Sequence, residues 1–400
     1  LQTKCKNPKR VYDFANFASL LAKDRTLCQF QSSLWQAQAG APFTLECNGQ
    51  DIVVTFSTKI ELYYSSKTDN GTIYGTQGKY YYLDNRWEGE GGRLNWDRAG
   101  LPTTTCWATL NKYTAETKFP KFTADSVQFV NTNYFKKPIL GRVEELLSNK
   151  MEPSKYNYPK FKSYQTDFKI KDILPGIDYE GTFKMNGGKM VTNDEKNPGN
   201  YIFYRGGKRF IVVSSPKYSN SHSELVLERS NIKIYLGKDS ICNDGVTVRY
   251  RTADKVLNII NDPQRNFYSP YSDSYHCLDI YSGNISWKLD SDKLVFGNLG
   301  AQGDESACTF ESANYFAERK ARKLQGIEDV SPVMRVYSYA KNHGSDMEFY
   351  VDDFAQAIHL DLIQAKAMIH NLAGSGLVTY NESEGRVYCK DKLSDYVKAI

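Results

Sequence analysis

From Asp51 onward, apolar and polar residues alternate along much of the chain. DIVVTFSTKIELYYSS and TIYGTQGKYYYL place side chains on two faces in turn, the period of a half-buried strand, and the Asp69-Asn70-Gly71 turn separates them. A hairpin is expected there. Earlier, residues 10–24 carry Val11, Phe14, Phe17 or Ala18, and Leu21 at helical spacing, which predicts a packing helix, and residues 32–39 suggest a second short helix.

The stretch 85–102, NRWEGEGGRLNWDRAGLP, concentrates more chemistry than any other window. Glu88-Gly89-Glu90-Gly91-Gly92 reads as a hairpin tip, because glycine supplies the positive φ values a tight connection needs, and RLNW reads as the returning strand. Leu94 and Trp96 would then share one face, with Arg93 and Asn95 on the other. Trp87, Glu88, Glu90, Trp96 and Asp97 form the candidate ligand site, since carboxylates beside tryptophans serve acid/base work and ring stacking on sugars. Against it stands a plainer reading, in which the tryptophans are core and the acids keep a hairpin tip soluble. That plainer reading is the preferred one.

Beyond residue 103, WATLNKYTAET and residues 126–130 read as strands and GRVEELLS as a helix. Pro153 and Pro159 mark a domain change near residue 150. From 161 to 299 short strands recur between turns such as Gly187-Gly188, Gly206-Gly207 and Asn243-Asp244-Gly245. No helix between them is long enough for a parallel βαβ unit, which leaves a sandwich, a jelly roll or a stacked solenoid. SANYFAERKARKLQG is then a basic helix, with Arg319, Lys320, Arg322 and Lys323, expected as a solvated connector.

The last seventy residues read as a separate module. Ser331-Pro332 starts a helix that stops at Gly344, Asp352 or Asp353 caps FAQAIHL, and Asp361 caps LIQAKAMIHNLAG. LVTYN and RVYCKDKL flank a tip at Glu382-Ser383-Glu384-Gly385, and Ser394 caps a final helix, SDYVKAI. Three helices followed by a two-stranded wing is the winged-helix order, with 362–373 in the recognition position. The expected fold is therefore mainly β with α, a multi-strand antiparallel or solenoid-like β body followed by a winged-helix-like α+β module: a mixed α/β N-terminal domain at 1–150, a β-rich domain at 151–308, a basic helical connector at 309–330 and the module at 331–400.

Composition narrows the function. Aromatic residues make up 14%, including 29 Tyr and 20 Phe, which suits pleated surfaces more than helices. The net charge of +5 is small for 400 residues and indicates no nucleic-acid-binding field. Residues 331–400 hold seven Lys or Arg against nine Asp or Glu, a balance of −2, which disfavours DNA as a partner. No window is apolar enough for a transmembrane segment. Cys5, Cys28, Cys47, Cys106, Cys242, Cys277, Cys308 and Cys389 are even in number but include no CxxC, so disulfides and free thiols both remain open. Asp273, His276, Cys277, Asp279 and His222 are near enough in sequence to suggest a metal site, but adjacent residues on a strand point to opposite faces, so His276 and Cys277 make poor joint ligands and no metal is expected. No spacing indicates a cofactor, a metal or a catalytic residue.

GKYYYLDNRWEGEGGRLNWDRAGL, KFTADSVQF, NYFKKPILGRVEELLS and DSYHCLDIYSGNISW, together with the helical end, resemble the amino-terminal part of very large, uncharacterised exported proteins of Bacteroidota bacteria. The resemblance covers most of the chain. It implies a signal peptide, a place in the periplasm, cell envelope or outside the cell, and further β-rich repeats after Ile400; a cytoplasmic location is the alternative. No activity comes with it, so no residue role is carried over. The leading expectation is a non-enzymatic envelope scaffold that binds other envelope proteins or later domains of the same chain. A glycan-binding or glycan-cleaving protein and a nucleic-acid-binding regulator are the alternatives.

Overall fold

The computed structural model describes residues 8–48, 51–147, 150–191, 197–221, 224–261, 269–297, 308–324, 331–343 and 346–399. The protein is mainly β, with 51% strand and 19% helix. It divides into two units, Leu1–Thr166 with Thr182–Val191, and Asp167–Gly181 with Thr192–Ile400.

The first unit begins with helix α1 (Pro8–Asp24), then β1 (Thr26–Phe30), β2 (Ser33–Ala37), β3 (Thr44–Asn48), β4 (Asp51–Ser65) and β5 (Asn70–Tyr81). Next come β6 (Arg86–Glu90), β7 (Arg93–Asn95), a 3-10 turn at Asp97–Ala99, β8 (Cys106–Thr109) and β9 (Lys112–Glu116). β10 (Lys121–Asn131), β11 (Ile139–Leu146) and β12 (Lys160–Ser163) follow. The chain lends β13 (Phe168–Leu174) and β14 (Ile177–Gly181) to the second unit before returning with β15 (Lys184–Asn186) and β16 (Lys189–Val191). These strands form one sheet in the order β1-β2-β4-β5-β6-β9-β10-β11-β12-β15-β16, with β3 beside β4 and β7 paired to β8. Strands on either side of residue 150 pair with each other, Gly141 opposite Ser163.

One face of this sheet is apolar, and it curls onto itself. Tyr64 of β4 meets Phe122 of β10 edge-on at 5.6 Å although β5, β6 and β9 lie between them in the sheet. Trp35 Nε1 reaches across to donate to the Phe119 carbonyl at 3.0 Å. Phe56, Trp87, Trp96, Phe129 and Phe161 fill the space enclosed, each 0–1% exposed. Burying such rings is worth about 2–3 kcal/mol apiece.

The expected hairpin tip at 88–92 does not exist. Gln77 faces Glu90 and Tyr74 faces Arg93, so β6 and β7 run in one direction along β5 with their register intact. Gly91 N–H donates to the Asn111 carbonyl at 2.7 Å and Leu110 N–H to the Gly92 carbonyl at 2.8 Å, which carries the ladder through the glycines. What changes there is the face. β6 buries Trp87 and Gly89 whereas β7 buries Leu94, so the inward set slips by one residue. The same slip occurs in β5 at Gly75, in β8–β9 at Asn111 and in β10 at Ser126, where φ is +66° for Gly75 and +55° for Ser126. Aligned irregularities of this kind crease a sheet, as bulges do at barrel corners. The chain reverses only later, through Asp97–Ala99 and the turn before β8.

Two helices expected from the sequence are strands. Residues 32–39 hold β2, with Ser33, Trp35 and Ala37 inward, and the described part of GRVEELLS, 141–147, lies in and just after β11, with Gly141, Val143 and Glu145 inward. Helix-favouring Glu and Leu are overridden there by cross-strand pairing.

In the second unit β13 and β14 join β17 (Gly199–Arg205), β18 (Lys208–Ser215), β19 (Lys217–Ser221), β20 (Glu224–Leu236), β21 (Asp239–Arg251) and β22 (Val256–Asn261). β23 (Tyr271–Asp273), β24 (Leu278–Tyr281), β25 (Asn284–Lys288), β26 (Leu294–Gly297) and β27 (Thr309–Ser312) complete an antiparallel sheet. Of the forms expected, the multi-strand antiparallel one is found. His276 and Cys277 occupy the turn between β23 and β24, not a strand as expected.

The helical end follows with α2 (Glu318–Leu324), α3 (Pro332–His343), β28 (Glu348–Tyr350), α4 (Val351–Ala357), α5 (Leu362–Gly374), β29 (Val378–Asn381), β30 (Arg386–Cys389) and α6 (Lys392–Ala399). Ser331 Oγ and Asp361 Oδ1 accept from Met334 and Gln364 N–H at 3.2 and 2.8 Å, the caps anticipated. Asp352 and Asp353 do not cap; they lie in the first turn of α4, and Ser394 lies inside α6. β28, unseen in the sequence, pairs with β30, giving the order β28-β30-β29. Val333, Val336, Phe354, Ile369, Leu372 and Tyr396 form this part's core.

Candidate functional site

The crease brings together part of the candidate site and removes the rest. On the polar face of the first sheet a groove of about 670 Å3 crosses β4, β5, β6, β9 and β10. Along it Lys79 faces Glu88, Glu88 faces Thr114, and Thr114 faces Thr123; beside that row Gln77 faces Glu90, and Glu90 faces Lys112. Alternating charge and hydroxyl across neighbouring strands is a stabilising arrangement that also suits a polar ligand. Glu88 accepts from Tyr81 Oη at 3.0 Å and pairs with Arg86.

Trp87 and Trp96 are both 0% exposed, so neither offers a ring to a ligand. They are corrected from candidate ligand residues to core. Trp87 Nε1 donates to Tyr113 Oη at 3.1 Å, and that hydroxyl is 2.8 Å from Thr76 Oγ1. Gly89 and Gly78 leave the room these rings need: a Cβ on Gly89 would enter the Tyr113 ring and approach Trp87 Nε1. Asp97 is exposed at the start of the 3-10 turn and is not among the groove residues. Glu88 and Glu90 alone of the five line the groove.

Next to Asp97, sequence reading missed Arg98. Its guanidinium donates to Glu145 Oε1 at 2.9 Å and Asp69 Oδ2 at 2.6 Å and lies over the Tyr156 ring at 4.9 Å. The Glu145 side chain is 1% exposed and that of Asp69 6%. Burial pushes the Glu145 carboxyl up, against the pull of Arg98. Burial likewise pushes the Tyr64 hydroxyl well above its usual range, with Glu145 adding to it. Among the described residues Tyr64 Oη, Trp96 Nε1, Arg98 Nε and Glu145 Oε2 have no hydrogen-bond partner. The only sequence signal was an acid at an alternating core position, which GRVEELLS hid as helical propensity.

The second unit contains a longer charge chain. Asp279, 1% exposed at the side chain, takes Lys390 Nζ and Lys392 Nζ at 2.7 Å each, and Lys392 is equally buried. Lys390 also reaches Ser272 Oγ at 2.6 Å, and burial lowers its pKa, partly offset by Asp279. Glu311 collects Lys320 at 3.1 Å, Lys392 at 3.5 Å and Tyr281 Oη at 3.1 Å. Every cation here comes from the helical end and every anion from the β-sheet. Lys320 of the basic helix is therefore a docking residue, not a solvated one.

Among the described residues no three His, Cys, Asp or Glu are grouped to hold a metal ion, and Cys28, Cys106, Cys242, Cys277, Cys308 and Cys389 are free thiols. The side chains of Cys5, Cys47 and His222 lie outside the described residues. No helix among the described residues is long and apolar enough to cross a membrane. No family model, no curated protein and no solved structure matches this chain.

Proposed function

We propose that the protein is a non-enzymatic scaffold or protein-interaction component of the cell envelope, and that its helical end is a winged-helix-like module working on protein. The observation that carries this reading is the buried Lys390–Asp279–Lys392 junction. It makes the module a fixed part of the β-body, so α5 presents its first turn from a rigid base. There Ile363 is 82% and Leu362 40% exposed. The winged-helix reading rests on the order helix, strand, helix, helix, strand, strand with β28 beside β30. A protein partner is favoured over nucleic acid because α5 carries one lysine, Lys366, and the wing tip carries Glu382 and Glu384. The envelope location rests on the sequence resemblance alone.

Native co-purification tests this: a stoichiometric protein partner is expected, lost in Ile363→Glu while the circular dichroism spectrum is unchanged. A partner-free monomer, or DNA binding that weakens steeply with salt, sinks it. The groove holding Glu88 and Glu90 favours a second reading, glycan binding. A blank glycan array removes that one.

A further inference from the structure

We infer that the second unit carries a pocket for a single-chain amphiphile with an anionic head. Strands β21, β24, β26 and β27 border an open cleft of about 510 Å3, a size usual for small-molecule sites. Ile241, Leu278, Ile280, Leu294, Phe296 and Phe310 make its walls. Phe310 is 53% exposed, so an alkyl chain laid against it removes apolar surface from water.

The polar side chains of the lining are Asp273 and His276, with the Tyr275 ring edge-on to His276 at 4.8 Å. Asp273 is 4% exposed, and its Oδ1 accepts Tyr275 and His276 N–H at 2.9 and 3.2 Å. Its Oδ2 lies 2.7 Å from His276 Nδ1. Both carboxylate oxygens are thus engaged, and Asp273 fixes Nδ1 as the inner nitrogen. Nε2 is the nitrogen left for a ligand, and on a protonated ring its N–H donates to a carboxylate while Asp273 balances the charge. The turn explains Asp273 by itself but not the apolar walls beside it. The chain's own residues 298–307, NLGAQGDESA, offer only Leu299 as a large apolar side chain to cover them.

Calorimetric titration of the intact protein with decanoate, below its aggregation limit and at pH 6, tests the assignment. Saturable one-to-one binding is expected, weakened about fivefold or more in Phe310→Ala and in His276→Ala. Decyltrimethylammonium should bind more weakly than decanoate, and His276→Ala should erase that preference. Cys277, exposed in the same turn, gives a second readout: decanoate should slow its reaction with a thiol reagent about threefold or more. Absence of saturable binding, binding indifferent to both variants, or binding that emerges only in Leu299→Ala overturns the proposal; the last would make the chain's own segment the occupant.

Discussion

Glu145 Oε1 accepts a hydrogen bond from Arg98 Nη1 at 2.9 Å, joining β11 to the turn after β7 across 47 residues of sequence. With Asp69 on the same guanidinium, one cation serves two nearly buried carboxylates. Removing the cation is therefore worse than removing either acid.

Arg98→Met should cost about 3–5 kcal/mol, because it strands a buried carboxylate. Glu145→Gln should cost less, and adding it to Arg98→Met should restore part of the loss. Urea midpoints of the three variants measure this; equal losses in both single variants would refute it.

Two glycines of the 85–102 stretch should respond differently. Gly89→Ala meets the Tyr113 ring and Trp87 Nε1, whereas a Cβ on Gly91 meets nothing within 4 Å and only the strain of φ +70° opposes it. Gly91→Ala should cost about 1 kcal/mol and Gly89→Ala about 3 kcal/mol, read from thermal unfolding.

Lys392→Met should loosen the helical end. It removes a buried partner from Asp279 and is expected to cost about 3 kcal/mol and to speed proteolysis between residues 313 and 331. In a double-mutant cycle with Asp279→Asn the coupling should exceed about 1 kcal/mol. Additive losses would show that the pair does no joint work.

Asp244 sets a pH dependence. Burial, aided by Glu384, pushes its carboxyl up to about 6, above the ordinary 3.8. The folded chain then binds this proton more tightly than the unfolded one, so the contribution is complete below pH 3.8 and is lost as pH rises through 6. Asp244→Asn should be more stable than the parent at pH 7.5 by on the order of 2 kcal/mol, with no difference near pH 4. Unfolding curves across that range check it; a pH-independent difference would be decisive against it.

Much of the β architecture was legible where alternation was unbroken, as at Ile211, Val213 and Ser215 of β18 and Leu257, Ile259 and Asn261 of β22. The crease was not, because each strand's pattern breaks by one residue and reads as noise unless neighbouring strands are compared. Gly91-Gly92 looked like a reversal since both glycines take positive φ, at 70° and 114°, yet the ladder continues. Glu145 masked β11 by placing a charge at a core position while Leu140, 56% exposed, sits outside. Of the candidate site, Glu88 and Glu90 were legible as exposed acids. Arg98, Asp69 and Glu145 were not, since their meeting depends on the curl of the sheet. The helical end was legible at the Ser331 and Asp361 caps; Asp352, Asp353 and Ser394 do not cap, and β28 is three residues whose strand character comes only from β30.

The crease also sets how this chain can change in length. A residue inserted into β6 alone would turn Trp87 or Leu94 outward unless β5, β9 and β10 slipped with it. Tolerated insertions and deletions in the first unit should therefore fall in the connections, or arrive in matched sets across adjacent strands. Variant libraries selected for folding would record that as a line of linked positions running across the sheet.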